Sequence, residues 1–270
     1  MSKAMNPICL DQLCAALAYA TGVDTPSTAA PADPRLVEYV DKALGGQKAD
    51  RLIMYNPDAI SNWVHDKYTY LMREVRARTE IELPYSCVMP SVTPVCFGTM
   101  YTGAQPEVHG IQAYEKPVIK IETLFDMMVK AGKKVAIVAE TDCSLAKIFL
   151  ERDVDYFIYD TLEEINAKAA ELIVKDEHDF IMIYNGNYDT IMHKYGTESI
   201  EALSELRCNT QTYAMLDALV QTHWKHHRTL MGFAMDHGSH DIDGNCGSHG
   251  LYMPEDINIV HMYKAYNKEA

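Results

Sequence analysis

The stretch Arg51–Asp58 reads RLIMYNPD: a short apolar run that breaks off into Asn56-Pro57-Asp58. Two later segments have the same form, Phe180–Asp189 (FIMIYNGNYD) and Leu230–Gly238 (LMGFAMDHG). In each, a few consecutive apolar residues predict a strand buried on both faces, and an aspartate follows the polar break. Lys134–Ala139 and Asp155–Tyr159 are two further runs of this type. Between the runs lie Ile60–Arg78, Ile121–Ala131, Leu145–Glu151, Leu162–Val174 and Glu198–Trp224, whose apolar spacing predicts helices. Strands of this kind separated by helices predict an α/β fold with a mostly parallel sheet covered on both sides. Ligands of such sheets bind in the loops beyond the carboxyl ends of the strands. Asp58, Asp189 and Asp236 each follow a separate predicted strand, at the same end of the same sheet.

On the N-terminal side, Ile8, Leu13, Ala16, Leu17 and Tyr19 have the spacing of a short amphipathic helix. Asp11 and Gln12 interrupt the apolar run and only Lys3 precedes it, which argues against a secretory leader. Residues 21–34, TGVDTPSTAAPADP, read as a connector, and Arg35–Leu44 as a helix stopped by Gly45-Gly46. The first helix reads as exposed and available for pairing into a homo-oligomer.

The 270 residues carry 24 Lys+Arg against 38 Asp+Glu, a net charge of −14. That balance argues against a nucleic-acid groove or an anionic membrane surface as partner, since both need a basic face. A hydrophobic content of 48% supplies a core and excludes wholesale disorder. The seven cysteines are odd in number, scattered and without a CxxC pair, so reduced thiols in a cytoplasmic protein are expected. No stretch approaches the roughly 20 apolar residues that span a bilayer.

Asp189 and His193 stand four apart, so on a helical turn both leave the same face and can share one cation. Asp236-His237 sits at a strand end, where both side chains turn inward only if the backbone bends; Gly238 is expected to give that freedom. His249, in Gly247-Ser248-His249-Gly250, can fold a third imidazole over the same pocket. Nitrogen and oxygen donors without sulfur suit Zn²⁺ first and Mn²⁺ second. Pro90–Ile111, PSVTPVCFGTMYTGAQPEVHGI, holds a helix start in Thr93-Pro94, with Thr93 as N-cap. A hydroxyl there faces free backbone N–H groups that suit a phosphate, although a plain capping role fits the same residues. Ser91 and Cys96 are nucleophiles by type, the first in the incoming turn and the second placed for packing.

Together these residues resemble the alkaline phosphatase superfamily, in its type I phosphodiesterase/nucleotide pyrophosphatase branch. The resemblance rests on Asp58, on Pro90-Ser91-Val92-Thr93 with Thr102-Gly103 through Pro106 to His109-Gly110-Ile111, on Asp189 through His193 to Gly196, on Asp236-His237-Gly238, and on Gly247-Ser248-His249-Gly250. It runs from about Arg51 to the end, in the branch's order. It implies an alkaline phosphatase-like α/β/α sandwich. Residues 1–45 form an N-terminal helical segment and connector, and 46–270 a catalytic domain without a large cap insertion. It also implies two divalent cations, one held by Asp189, His193 and His249 and the other by Asp58, Asp236 and His237. Thr93 is then the nucleophile, and a small phosphorylated ester the substrate.

Three departures from the branch stand out. Tyr114 occupies the position of a phosphate-contacting Asn, five residues after His109, where its phenol could still touch substrate. His249 follows His237 by only twelve positions, where relatives often carry a long insertion, and Asp58-Ala59 replaces the usual Asp-Gly. Asn56 is a rival ligand, His240 is open as a neighbour of the cations, and His109 is expected to be structural. A phosphomonoesterase, phosphonate hydrolase or phosphomutase of the same superfamily is an alternative, as is a non-catalytic metal-binding relative.

Overall fold

The computed structural model describes residues 4–269. Two helices, α1 (Gln12–Thr21) and α2 (Pro34–Leu44), precede β1 (Arg51–Pro57). Then come α3 (Asn62–Lys67), α4 (Arg73–Arg76) and β2 (Ile81–Ser86), followed by α5 (Thr93–Thr102), α6 (Pro106–His109), α7 (Leu124–Lys130) and β3 (Val135–Glu140). Next are α8 (Ser144–Ile148), β4 (Asp155–Tyr159), α9 (Leu162–Lys175) and β5 (Phe180–Asn185). The chain continues through α10 (Asn187–Tyr195), α11 (Ile200–His223), β6 (Thr229–Phe233), β7 (His240–Ile242), β8 (Cys246–Ser248), α12 (Pro254–Ile257) and β9 (Asn258–Tyr266).

Seven strands form one sheet in the order β2-β9-β6-β1-β5-β3-β4, and β7 and β8 form a separate hairpin. β1 lies in the middle, parallel to β5 and β6, with Tyr55 beside Ile183 and Phe233. Only β9 is antiparallel to its neighbours β6 and β2, so the sheet is mostly parallel, as expected. The central strands β1, β3, β5 and β6 are buried because helices cover both faces. Tyr55 sends its hydroxyl to Asn209 of α11 at 2.9 Å, while the next residue, Asn56, accepts the Tyr101 hydroxyl of α5 at 2.6 Å. Successive residues of β1 therefore face opposite helical layers. One layer groups α5 with α1, α7 and α8, the other α11 with α4, α9 and α10.

The sequence differs from the structure at four elements. Ile60–Arg78 is two short helices, α3 and α4, separated at Tyr68–Met72 by a stretch rich in aromatic and β-branched residues. β2 and β9 were not expected from the apolar pattern: β2 is an edge strand carrying Pro84, and β9 carries Asn258 and His261 inside its run. The first helix is not exposed. Leu13, Cys14, Ala16, Leu17 and Ala20 of α1 are fully buried in the shared core, because QLCAALAYAT is apolar almost all round. No helix among the described residues is long and apolar enough to cross a membrane, and all seven cysteines are free.

Candidate active site

The parallel strands deliver three carboxylates to one edge. Asp58 follows β1, Asp236 follows β6, and α10, which starts two residues after β5, carries Asp189 and His193 on one face. Ala59 takes a left-handed backbone, φ +62°, and donates its N–H to Asp236 Oδ1 at 3.2 Å, which joins the ends of β1 and β6. Gly238 plays a different part from the expected one. Its φ is not positive; instead, a Cβ there would lie 2.1 Å from the Glu255 carbonyl oxygen, so glycine is required for space.

The side chains form two triads. In one, Asp189 Oδ1 lies 3.3 Å from both His193 Nε2 and His249 Nε2, which are 3.0 Å apart. In the other, His237 Nε2 lies 3.3 Å from Asp58 Oδ1 and 3.2 Å from Asp236 Oδ2. The rings of His237 and His249 are 4.1 Å apart, so the triads adjoin. Each imidazole is anchored through Nδ1 on a backbone carbonyl: His193 on Gly247 at 3.0 Å, His237 on Gly238 at 2.9 Å, and His249 on Ser91 at 2.9 Å. A carbonyl only accepts, so each Nδ1 carries the hydrogen and each Nε2 faces inward.

These donors fit two cations. Asp58 Oδ1, Asp189 Oδ1 and Asp236 Oδ2 are buried without a hydrogen-bond partner, and they are the oxygens that face the imidazoles. Buried polar atoms without partners are costly. A tetrahedral cation about 2.0–2.1 Å from each donor needs donor separations near ~3.3 Å, close to those found.

The electrostatics agree. Burial and the neighbouring Asp189 push Asp58 up to about 7, despite hydrogen bonds from Tyr184 and Thr93. Burial and Asp58 push Asp236 well above the carboxylate range. Burial opposes ionisation of Asp189 as well, yet the close approach of the His193 and His249 imidazoles holds it below its ordinary value. Burial and the nearby His249 bring His237 down to about 3. The pocket thus strains to carry its negative charge without a countercharge.

Thr93 lies at the triad of Asp58, Asp236 and His237. The helix does not use it as N-cap: Val92 holds that position, Thr93 is the first helical residue, and its Oγ1 donates to Asp58 Oδ2 at 3.2 Å. The same oxygen is 3.3 Å from His237 Nε2. The hydroxyl therefore points away from its own helix.

Other expected residues separate clearly. Asn56 spends its amide on Tyr101 and on the Ala234 carbonyl, so it is no rival ligand. His109 is held by Thr99 and the Ile111 N–H and packs on Gly98. Tyr114 is 61% exposed, and partial burial, then the charges of Asp189 and Asp58, raise its phenol pKa. His240 binds Asp256 Oδ1 through Nδ1 at 2.6 Å, while Asp256 Oδ2 accepts the Leu251 N–H at 2.8 Å. Asp256 thus ties the segment after His237 to the segment after His249. Sequence reasoning missed both Asp256 and Tyr184, whose hydroxyl donates to Asp58 Oδ2. Only the polar end of Tyr184, at the close of an apolar strand, could have flagged it.

The family model for type I phosphodiesterase / nucleotide pyrophosphatase matches residues 55–264, most of the chain and all six ligand candidates. The chain belongs to that family. A comparison with curated proteins found no match. Among solved structures, this family member resembles phosphonoacetate hydrolase from Sinorhizobium meliloti 1021 in complex with phosphonoformate, at 19% identity and a TM-score of 0.55. That match covers 75% of this chain and 61% of the other. Murine ectonucleotide pyrophosphatase / phosphodiesterase 5 matches at 16% identity and a TM-score of 0.56, over 72% of this chain and 58% of the other. At such identities the likeness speaks to the fold, and the chain spans about three fifths of the length of these structures.

Proposed function

We propose that this family member hydrolyses a small phosphoric ester or a phosphonate with two divalent cations, zinc before manganese. The observation that carries this reading is the set of three unpartnered buried carboxylate oxygens facing three imidazole Nε2 atoms, with the Thr93 hydroxyl beside Asp58 and His237. Asp189, His193 and His249 would hold one cation, and Asp58, Asp236 and His237 the other. Bound cations would clamp phosphoryl oxygens and stabilise the attacking and leaving oxygens.

The chain's own residues do the rest. Thr93 Oγ1 attacks phosphorus in line and displaces the leaving group, giving a phosphothreonine; water then cleaves that ester and regenerates the hydroxyl. Asp58 Oδ2 already accepts the Thr93 hydrogen bond, and Tyr184 donates to the same oxygen and fixes its direction. At the start of α5 the Val95 and Cys96 N–H groups both donate to the Val92 carbonyl and Pro94 has none, so this turn offers little to an anion. In this reading Tyr114 would touch substrate from the exposed side.

A compact substrate fits best. The phosphonoacetate hydrolase structures hold phosphonoformate and phosphonoacetate, both small anions. The chain's net charge of −14 disfavours a polyanion such as nucleic acid, whereas two divalent cations supply four positive charges at one point. Free thiols suit a reducing compartment, and we place the protein in the cytoplasm.

Purified protein should carry about two equivalents of zinc or manganese in this site and hydrolyse an aryl phosphate ester. Thr93→Ala should lower kcat by roughly 10³-fold or more while metal content stays unchanged. Equal activity in chelated and metal-loaded protein would overturn the mechanism.

A further inference from the structure

At the opposite end of the sheet, where β1 and β6 begin, lies a second histidine pair. α9 ends at Lys175, and Asp176 closes it in a left-handed conformation, φ +52° and ψ +40°. Its Oδ2 lies 2.8 Å from His227 Nε2 and 3.1 Å from His226 Nε2, both in the loop between α11 and β6. The two rings are 4.1 Å apart, and one donor atom from each of the three residues lies within 4.8 Å of the others. Asp176 Oδ1 is engaged elsewhere: Arg51 Nε, at the start of β1, is 3.0 Å away, and the same guanidinium pairs with Asp179.

We propose that Asp176, His226 and His227 form a third divalent-cation site, of the zinc class, with a structural rather than a hydrolytic role. Two imidazole nitrogens and one carboxylate oxygen, with no sulfur, are donors that zinc accepts readily. Arg51 occupies Oδ1 and leaves Oδ2 as a single-oxygen ligand. It also fixes the carboxylate's orientation, as outer partners of metal-bound carboxylates do. Donor separations near ~3.3 Å suit a tetrahedral zinc, so the nitrogens need retreat by only a few tenths of an ångström. The His226 side chain is 66% exposed, which leaves the remaining coordination positions open to water.

The cation would pin three segments: the end of α9, the loop that feeds β6, and, through Arg51, the start of β1. None of them touches the Thr93 pocket, which lies beyond the other ends of the same strands. The site is therefore separable from the proposed chemistry. Without a cation, the same contacts reduce to imidazole hydrogen bonds on one carboxylate, and the experiment distinguishes the two.

Protein loaded with zinc and desalted should retain about three equivalents per chain. His226→Ala/His227→Ala should retain one fewer with turnover unchanged, and should show a smaller zinc-induced rise in Tm than the wild type. His193→Ala/His237→Ala should keep this site's part of that rise. The variant His226→Gln/His227→Gln, which preserves bulk and donors to Asp176, should when zinc-free match the zinc-free wild type in Tm and still lack the third equivalent. Equal zinc content in wild type and both His226/His227 variants overturns the proposal. If the wild type holds one equivalent and the His226/His227 variants none, this site stands and the two-metal reading of the Thr93 pocket falls.

Discussion

Ala59 shows how a single residue records the demands of the pocket. It holds φ +62° with its side chain fully buried, and its N–H reaches Asp236 Oδ1 at 3.2 Å. A left-handed alanine costs roughly 1–2 kcal/mol that glycine avoids, less the extra freedom glycine gives the unfolded chain. Ala59→Gly is therefore expected to stabilise the protein by about 0.5–1 kcal/mol in urea titration, with metal content unchanged; a loss of stability would mean that the buried methyl outweighs the strain. The metal-ligand candidates were legible one by one, because Asp and His at strand ends advertise their chemistry by type. Tyr184 and Asp256 were not. Their contacts span 126 positions, from Tyr184 to Asp58, and 16, from Asp256 to His240, and no local pattern encodes such pairs.

At the scale of elements, the strand ends place the ligand candidates and the turns after them set the aim. β1, β3, β5 and β6 were readable because burial on both faces leaves continuous apolar runs, and β4 by its aromatic and β-branched residues although it is only half-buried. β2 and β9 were hidden, since an edge strand with Pro84 and a strand with a buried His261 break that pattern. The turn at Asp236-His237-Gly238 was legible in content but not in reason. His237 Nδ1 donates to the Gly238 carbonyl, while the Gly238 N–H donates to the Asp256 carbonyl at 2.7 Å. A Cβ at Gly238 would meet the Glu255 carbonyl oxygen at 2.1 Å and Ser61 Cβ at 2.7 Å. Backbone atoms on that side cannot step aside, so Gly238→Ala should cost about 1–3 kcal/mol. It should also weaken metal binding at Asp58, Asp236 and His237 before that at the other triad. Denaturant midpoints and metal titration of the variant check this, and wild-type values for both would remove the steric argument.

The whole molecule carries a charge problem that cations would solve. Asp58, pushed up to about 7, and Asp236, pushed well up by burial and by Asp58, have folded-state values above the ordinary carboxylate value of 3.8. Raised values mean that the stability gained from holding these protons is fully present below about pH 4 and is lost as pH rises through about 7. Metal-free protein should therefore weaken from pH 5.5 to 8.5 through this site. Bound cations replace those protons, and their binding strengthens over the same range as fewer protons must be displaced. In the His226→Ala/His227→Ala background, groups elsewhere titrate alike in both forms and cancel from the difference. The gap in Tm between metal-loaded and chelated protein should accordingly widen as pH rises from 5.5 to 8.5. A gap that stays constant or narrows would show that the carboxylates meet their countercharge elsewhere in the chain. The net charge of −14 gives the same sign from outside the pocket: two divalent cations bring it to about −10, so loading also relieves repulsion over the surface. Salt separates the two contributions. Raising ionic strength screens the surface part and leaves the buried part, so the pH-dependent widening should survive in 0.5–1 M salt, where the Debye length falls to a few ångströms.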